Sequence, residues 1–174
     1  MNRVFPKAVI DSGPLFDALV LNYEHQRSQY GRAPRFTSIL DEVLQNVTAQ
    51  KQFLGSLFSI REKLTTSHVI AELYGLEKGR LGLNPPDLYD FRRTSIELLM
   101  QWGIDERLIR LLDLASHDSF RSCLTEIGVT DTGLIDLAVR HDCVLITWDA
   151  RTLAREASIR QVECIFLRQL VTFV

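Results

Sequence analysis

The chain has 174 residues, a formal net charge of −2, 46% hydrophobic and 24% charged residues. These values suit one soluble globular domain with a proper core, residues 1–174, and exclude attraction of nucleic acid by whole-molecule charge. The cations are skewed to 16 Arg against 4 Lys, and arginine is the residue suited to bidentate phosphate contacts. Cys123, Cys143 and Cys164 are odd in number and form no CxxC pair, which argues against a disulfide framework or a zinc site. Cys143 and Cys164 lie in apolar runs and read as buried thiols. There is no apolar stretch of membrane-spanning length and no signal-peptide pattern, so a cytosolic protein without membrane contact is expected.

In chain order, Val4 to Ile10 reads as a buried first strand. A Gly-Pro pair follows, with Pro14 placed to start a helix that carries Leu15, Phe16, Leu19 and Val20. Asn22 to Arg35 is polar and reads as a loop. Its Tyr23, His25, Arg27, Tyr30, Arg32 and Arg35 would suit a substrate-gripping segment overhanging the end of the first strand. Phe36 to Ile60 keeps helical spacing and reads as one long helix or two short ones, so residues 22–63 form a polar loop and a helical insertion. "LTTSHVIAELYGL" gives a brief strand and a helix that Ser67 can cap. After the break at Asn84–Asp87 comes a helix to about Gln101. Leu108 to Leu114 reads as a strand and His117 to Glu126 as a helix. "VTDTGLIDLAVRHD" is a capped helix, "CVLITWD" a buried strand, "RTLAREA" a short helix and "VECIFL" a last strand.

Strands alternating with helices predict an α/β fold, a three-layer α/β/α sandwich around a mostly parallel sheet. Ligands of such sheets sit beyond the carboxyl ends of the strands. Asp11 ends the first strand and Asp149 ends "CVLITWD", which directs both to one rim.

Glu72, early in a helix, and Asp131, at a helix start, complete a set of four acids. Converging carboxylates raise one another's pKa. A divalent cation relieves that cost, and oxygen-only ligands select Mg²⁺ or Mn²⁺. Each acid also has a plainer use: Asp131 as a cap, Glu72 as a solvated side chain, Asp149 in an Asx-turn. Asp136 lies about 140° around the helix from Asp131 and should leave the metal face. Asp17 is an equally weak candidate, and His68 and His117 are weaker still. Arg151, just after Asp149, is the best single phosphate contact, ahead of Arg80 and Arg32.

The blocks "VIDSGPLF", "TSHVIAEL" and "TDTGLIDLAVRHDCVLITWDAR", in that order and over most of the chain, resemble a PIN domain, the metal-dependent ribonuclease fold. The last block is the most specific. The resemblance implies that Asp11, Glu72 and Asp131 match the three core metal-binding acids and Asp149 the frequent fourth. Ser12 and Thr147 match small hydroxyl positions that orient ligands or bind phosphate. It further implies Mg²⁺- or Mn²⁺-dependent hydrolysis of RNA with a 5′-phosphate product. Many similar domains are toxins held by an antitoxin protein, and a homodimer is a further implied partner. The chain departs from the pattern in the length of residues 22–63, in Thr132 where alanine is commoner, and in Trp148 where a small or polar residue is usual. Two alternatives stand beside this reading. One is a non-cleaving RNA- or protein-binding module. The other is a phosphatase with Asp11 as nucleophile, disfavoured because Gly13 stands where such enzymes carry a second Asp.

Overall fold

The computed structural model describes residues 5–171. Val4, assigned above to the first strand, lies outside them. In chain order the elements are β1 (Lys7–Ile10), α1 (Ser12–Gln29), two 3₁₀ turns (Thr37–Ile39 and Glu42–Gln45), α2 (Val47–Ser59), β2 (Glu62–Thr66), α3 (Ser67–Arg80), α4 (Pro85–Gln101), β3 (Ile104–Arg107), α5 (Leu111–Ser116), α6 (Asp118–His141), β4 (Val144–Ile146), α7 (Thr152–Ile159), β5 (Cys164–Ile165) and α8 (Leu167–Leu170). The five strands form one sheet in the order β3-β2-β1-β4-β5, and every neighbouring pair is parallel.

The central strands explain the buried sheet. Ala8, Val9 and Ile10 of β1 and Leu145 and Ile146 of β4 are all buried, as both-face burial of a parallel strand requires. Helices cover both faces, giving a three-layer α/β/α sandwich. Phe16, Leu15 and Leu19 of α1, Phe53 of α2, Phe91 of α4 and Leu134 and Ile135 of α6 fill the core. Among the described residues no helix is long and apolar enough to cross a membrane.

Strand order places the site. The chain lays down β2 and β3 on one side of β1, then crosses to lay down β4 and β5 on the other. The switch point is therefore between β1 and β4, where an open α/β sheet leaves a crevice beyond its carboxyl edge. Ile10 pairs with Ile146 at that edge, and the Asp11 N–H donates to the Ile146 carbonyl at 3.0 Å.

Several elements depart from the sequence reading. Asn22 to Gln29 is the second half of α1, not a loop. Its polar composition hid the inward side, where Tyr23 and Glu24 are buried and Tyr23 packs edge-on against Phe91 at 5.1 Å. Because α1 runs away from Asp11, residues 23–30 lie roughly 18–28 Å along the helix from it. The segment therefore does not overhang the β1 end.

Residues 36–60 hold one α-helix preceded by two 3₁₀ turns. Two side chains break the helical period. Asp41 accepts from the Val43 N–H at 2.9 Å, and Asn46 caps α2 by accepting from Thr48 and Ala49 at 2.8 and 3.2 Å. Thr66 rather than Ser67 caps α3, accepting from Val69 at 3.3 Å.

Leu108 to Leu114 is not a strand. The strand is the preceding Ile104–Arg107, and Leu111–Ser116 is helical. The two helices expected around residues 117–142 are both present, joined without a loop at Gly128 inside α6, whose φ of 83° is open to glycine and strained for other residues. All three cysteines are free, and Cys123 is the buried one. Cys143 and Cys164, expected to be buried, are only half-buried.

Candidate metal centre

Asp11 sits where β1 meets α1, and it is 8% exposed. Both carboxylate oxygens have donors. Oδ1 accepts from the Ser12 N–H at 2.6 Å and the Ser12 hydroxyl at 3.3 Å, and Oδ2 accepts from the Thr147 hydroxyl at 2.7 Å. The strand-end threonine is thereby the strut that holds Asp11 across the β1/β4 crevice. The same Thr147 oxygen accepts the Asp149 N–H at 3.0 Å, which fixes its proton toward Asp11. Burial pushes the Asp11 carboxyl up. The Thr147 and Ser12 bonds pull the other way, and the charge of Glu72 adds to the rise.

Asp131 lies just past the Gly128 break, so it opens the second half of α6 rather than sitting mid-helix. The break is braced by the Thr132 hydroxyl, which donates to the Gly128 carbonyl at 2.6 Å. That is a use for the threonine where alanine is commoner in the resembled pattern. Asp131 is pushed up to about 7, first by burial, then by the charges of Asp11, Glu72 and Asp149. The four acids from four separate elements are therefore electrostatic neighbours. Glu72, in the second turn of α3, is exposed.

Asp149 is used differently. Its Oδ1 accepts the N–H groups of Arg151 and Thr152 at 2.9 and 3.0 Å, and its Oδ2 accepts that of Leu153 at 3.3 Å. Burial raises this carboxyl, but the three backbone donors and the Arg151 charge outweigh it and hold it below the usual range. Asp149 forms an Asx-turn leading into α7, the plainer of its two sequence readings, and it also contributes negative charge to the rim. Arg151 is exposed and has no ion pair among the described residues.

The four carboxylates are neighbours rather than a closed chelate. Among the described residues no group of three or more His, Cys, Asp or Glu is arranged to hold a metal ion. The chemistry of the donor set nevertheless fits a hard divalent cation. Its atoms are all carboxylate oxygens, and Asp131 carries a protonation cost that a positive charge would relieve. Asp11, Glu72 and Asp131 fit best. Asp149 fits least, because three backbone N–H groups and Arg151 already hold its carboxyl below the usual range, so it carries no protonation cost for a cation to relieve.

The weaker candidates resolve as packing groups. Asp136 is buried and ion-paired with Arg140 at 2.9 Å. His68 is half-buried and His117 is exposed, the latter preceding α6 without a side-chain cap. Arg80 lies over the Phe16 ring at 5.7 Å.

Asp17 is a structural residue. It is 4% exposed and accepts from the Trp148 indole N–H at 2.9 Å. The two residues are 131 positions apart, so no local pattern could pair them. The bond explains why a tryptophan stands after β4. Its ring packs on Phe53 at 5.7 Å and covers Gly13, where an added Cβ would meet the ring at 3.0 Å. Burial pushes the Asp17 carboxyl up to about 6, against the Trp148 bond and the Arg80 charge. Trp148→Phe removes the donor and leaves this buried acid short of a partner. The variant should lose about 2 kcal/mol of stability at pH 8 and less at pH 4, where Asp17 is neutral. Urea unfolding at the two pH values checks this, and an equal loss at both would contradict it.

Comparison with protein-family models, with curated proteins and with solved structures finds no match.

Proposed function

We propose that this chain is a Mg²⁺- or Mn²⁺-dependent ribonuclease that hydrolyses RNA phosphodiester bonds. The observation that carries the reading is a buried aspartate at the β1/β4 switch point, braced by Thr147, with the charges of Glu72 and Asp131 bearing on the same place. Asp11, Glu72 and Asp131 would hold the ion. A bound divalent cation supplies Lewis-acid chemistry, polarising a phosphoryl oxygen and acidifying a water.

The chain's own residues do the rest. Thr147 and Ser12 fix the Asp11 carboxylate so that it presents its remaining lone pairs to the crevice. Asp149, through its Asx-turn, sets the start of α7 beside the rim and leaves the Arg151 guanidinium exposed there to contact a phosphate. The resemblance to PIN domains supports RNA as substrate, a 5′-phosphate product, and a homodimer or an antitoxin protein as partner. The competing reading, a non-cleaving RNA- or protein-binding module, draws on the acids not being a closed chelate.

Metal binding tests the proposal directly. Calorimetry at pH 7.5 should show Mn²⁺ and Mg²⁺ binding that is lost in Asp131→Ala. Thr147→Val should weaken it by about 10–100-fold, as removal of a group that orients a ligand does. Absence of binding to the wild-type chain would reject the metal-dependent mechanism and favour the non-cleaving module.

A further inference from the structure

The segment that does not reach the rim forms something else. The C-terminal half of α1 and the turn after it face α4, and between them lies an open cleft of about 280 Å³. That is near the lower bound of small-ligand sites, roughly 300–1,000 Å³. Its walls carry Arg27, Arg32 and Arg93 against a single carboxylate, Asp90. In a chain of net charge −2 this is a local concentration of positive charge.

The three arginines are not equivalent. Arg27 is a fixed wall: its guanidinium lies 5.8 Å from the centres of both the Tyr23 and Phe36 rings, and its Nη2 donates to the Ala33 carbonyl at 3.4 Å. It also stands 3.9 Å from Glu24, whose other oxygen is occupied by the N–H groups of Arg35 and Phe36. Arg32 and Arg93 are exposed, and among the described residues neither side chain has an ion pair or a hydrogen-bond partner. They come from different elements and line one cleft, which is the geometry for clamping an anion from two sides.

Beside them, Tyr30 is 83% exposed, and among the described residues its ring meets no other aromatic ring. Thr94 and Gln26 sit deeper, their side chains 3.5 Å apart, and with Asp90 they supply acceptors for hydroxyl or amine protons.

We infer that this cleft, remote from the carboxylate rim, is a nucleotide-binding site. Arg32 and Arg93 take the phosphate, Tyr30 stacks on the base, and Asp90 and Gln26 accept from the sugar hydroxyls or the base amine. The ligand is either a free mononucleotide or one nucleotide of a single-stranded RNA. The site does not depend on the rim cutting RNA.

The test is run on the full chain in EDTA, so metal chemistry at the rim plays no part. AMP, inorganic phosphate and a short single-stranded RNA are titrated in turn. The wild type should bind AMP, the RNA or both. The exposed double variant Arg32→Ala/Arg93→Ala should lose at least about tenfold in affinity, and Tyr30→Ala about tenfold, while Asp11→Asn should bind as the wild type does. Binding of AMP but not RNA identifies a free nucleotide as the ligand. Binding of RNA, with a salt slope shallower by about 0.7 in the double variant, identifies an RNA chain held at one phosphate. The site is overturned if neither AMP nor RNA binds, if the double variant binds unchanged, or if Asp11→Asn removes binding. Phosphate binding as tightly as AMP, with Tyr30→Ala silent, overturns the nucleotide assignment.

Discussion

Metal-free protein should lose stability as the pH rises from about 4 to about 7, the reverse of the usual behaviour of paired carboxylates. Asp17 and Asp131 both bind a proton more tightly folded than unfolded, with values near 6 and 7 against an ordinary 3.8. Stability from such a group is fully present below the unfolded pKa and is lost as pH climbs through the folded one. For buried Asp17 the difference amounts to about 3 kcal/mol. Asp131 has more solvent around it, and screening reduces its share to about 2 kcal/mol. Urea titrations at pH 4, 6 and 8 in EDTA measure the slope. Asp17→Asn should flatten it by about 3 kcal/mol while keeping an acceptor for Trp148, and Asp131→Asn by about 2. Adding Mn²⁺ at pH 8 should restore the Asp131 part and leave the Asp17 part untouched. A wild-type slope that neither variant changes would show that these carboxyls ionise normally in the fold.

Asp11→Asn should abolish RNA cleavage while leaving the protein folded. An asparagine keeps an oxygen able to accept from Ser12 or Thr147, so the β1/β4 crevice stays tied. It also removes one of the charges that press on Asp131, so the metal-free fold should be as stable as the wild type or slightly more so. The activity should fall by about 100-fold or more, since Lewis-acid stabilisation contributes several kcal/mol and each 1.4 kcal/mol is tenfold. If Asp11→Asn fails to fold, Asp11 is a structural hydrogen-bonding residue and not a metal ligand.

The rim was legible because its signals are local. An apolar run ending in an acid places that acid at a strand's carboxyl end, and β1 and β4 both read this way. A mostly parallel sheet followed from strands alternating with helices, and in the structure every pairing is parallel. What failed was ambiguous locally and decided by partners far along the chain. Residues 22–29 look like a loop until Phe91 and Phe36 give Tyr23 something to bury against. Ile104–Arg107 hides as a strand because, at the sheet edge beyond β2, it is largely exposed and carries Asp105, Glu106 and Arg107. The short apolar run at 108–114 then drew the strand assignment, since such a run fits helix or strand equally by period. At the site, Asp149 could be read as ligand or Asx-turn from sequence, and the three N–H groups on its oxygens show the turn.

The decisive measurement is cleavage of an end-labelled single-stranded RNA by the purified chain, with Mn²⁺, with EDTA, and with Asp11→Asn in Mn²⁺. Metal-dependent hydrolysis at the Asp11 rim predicts cleavage to fragments bearing a 5′-phosphate in the first reaction and none in the other two. Cleavage that persists in excess EDTA, or that Asp11→Asn retains in full, would contradict it.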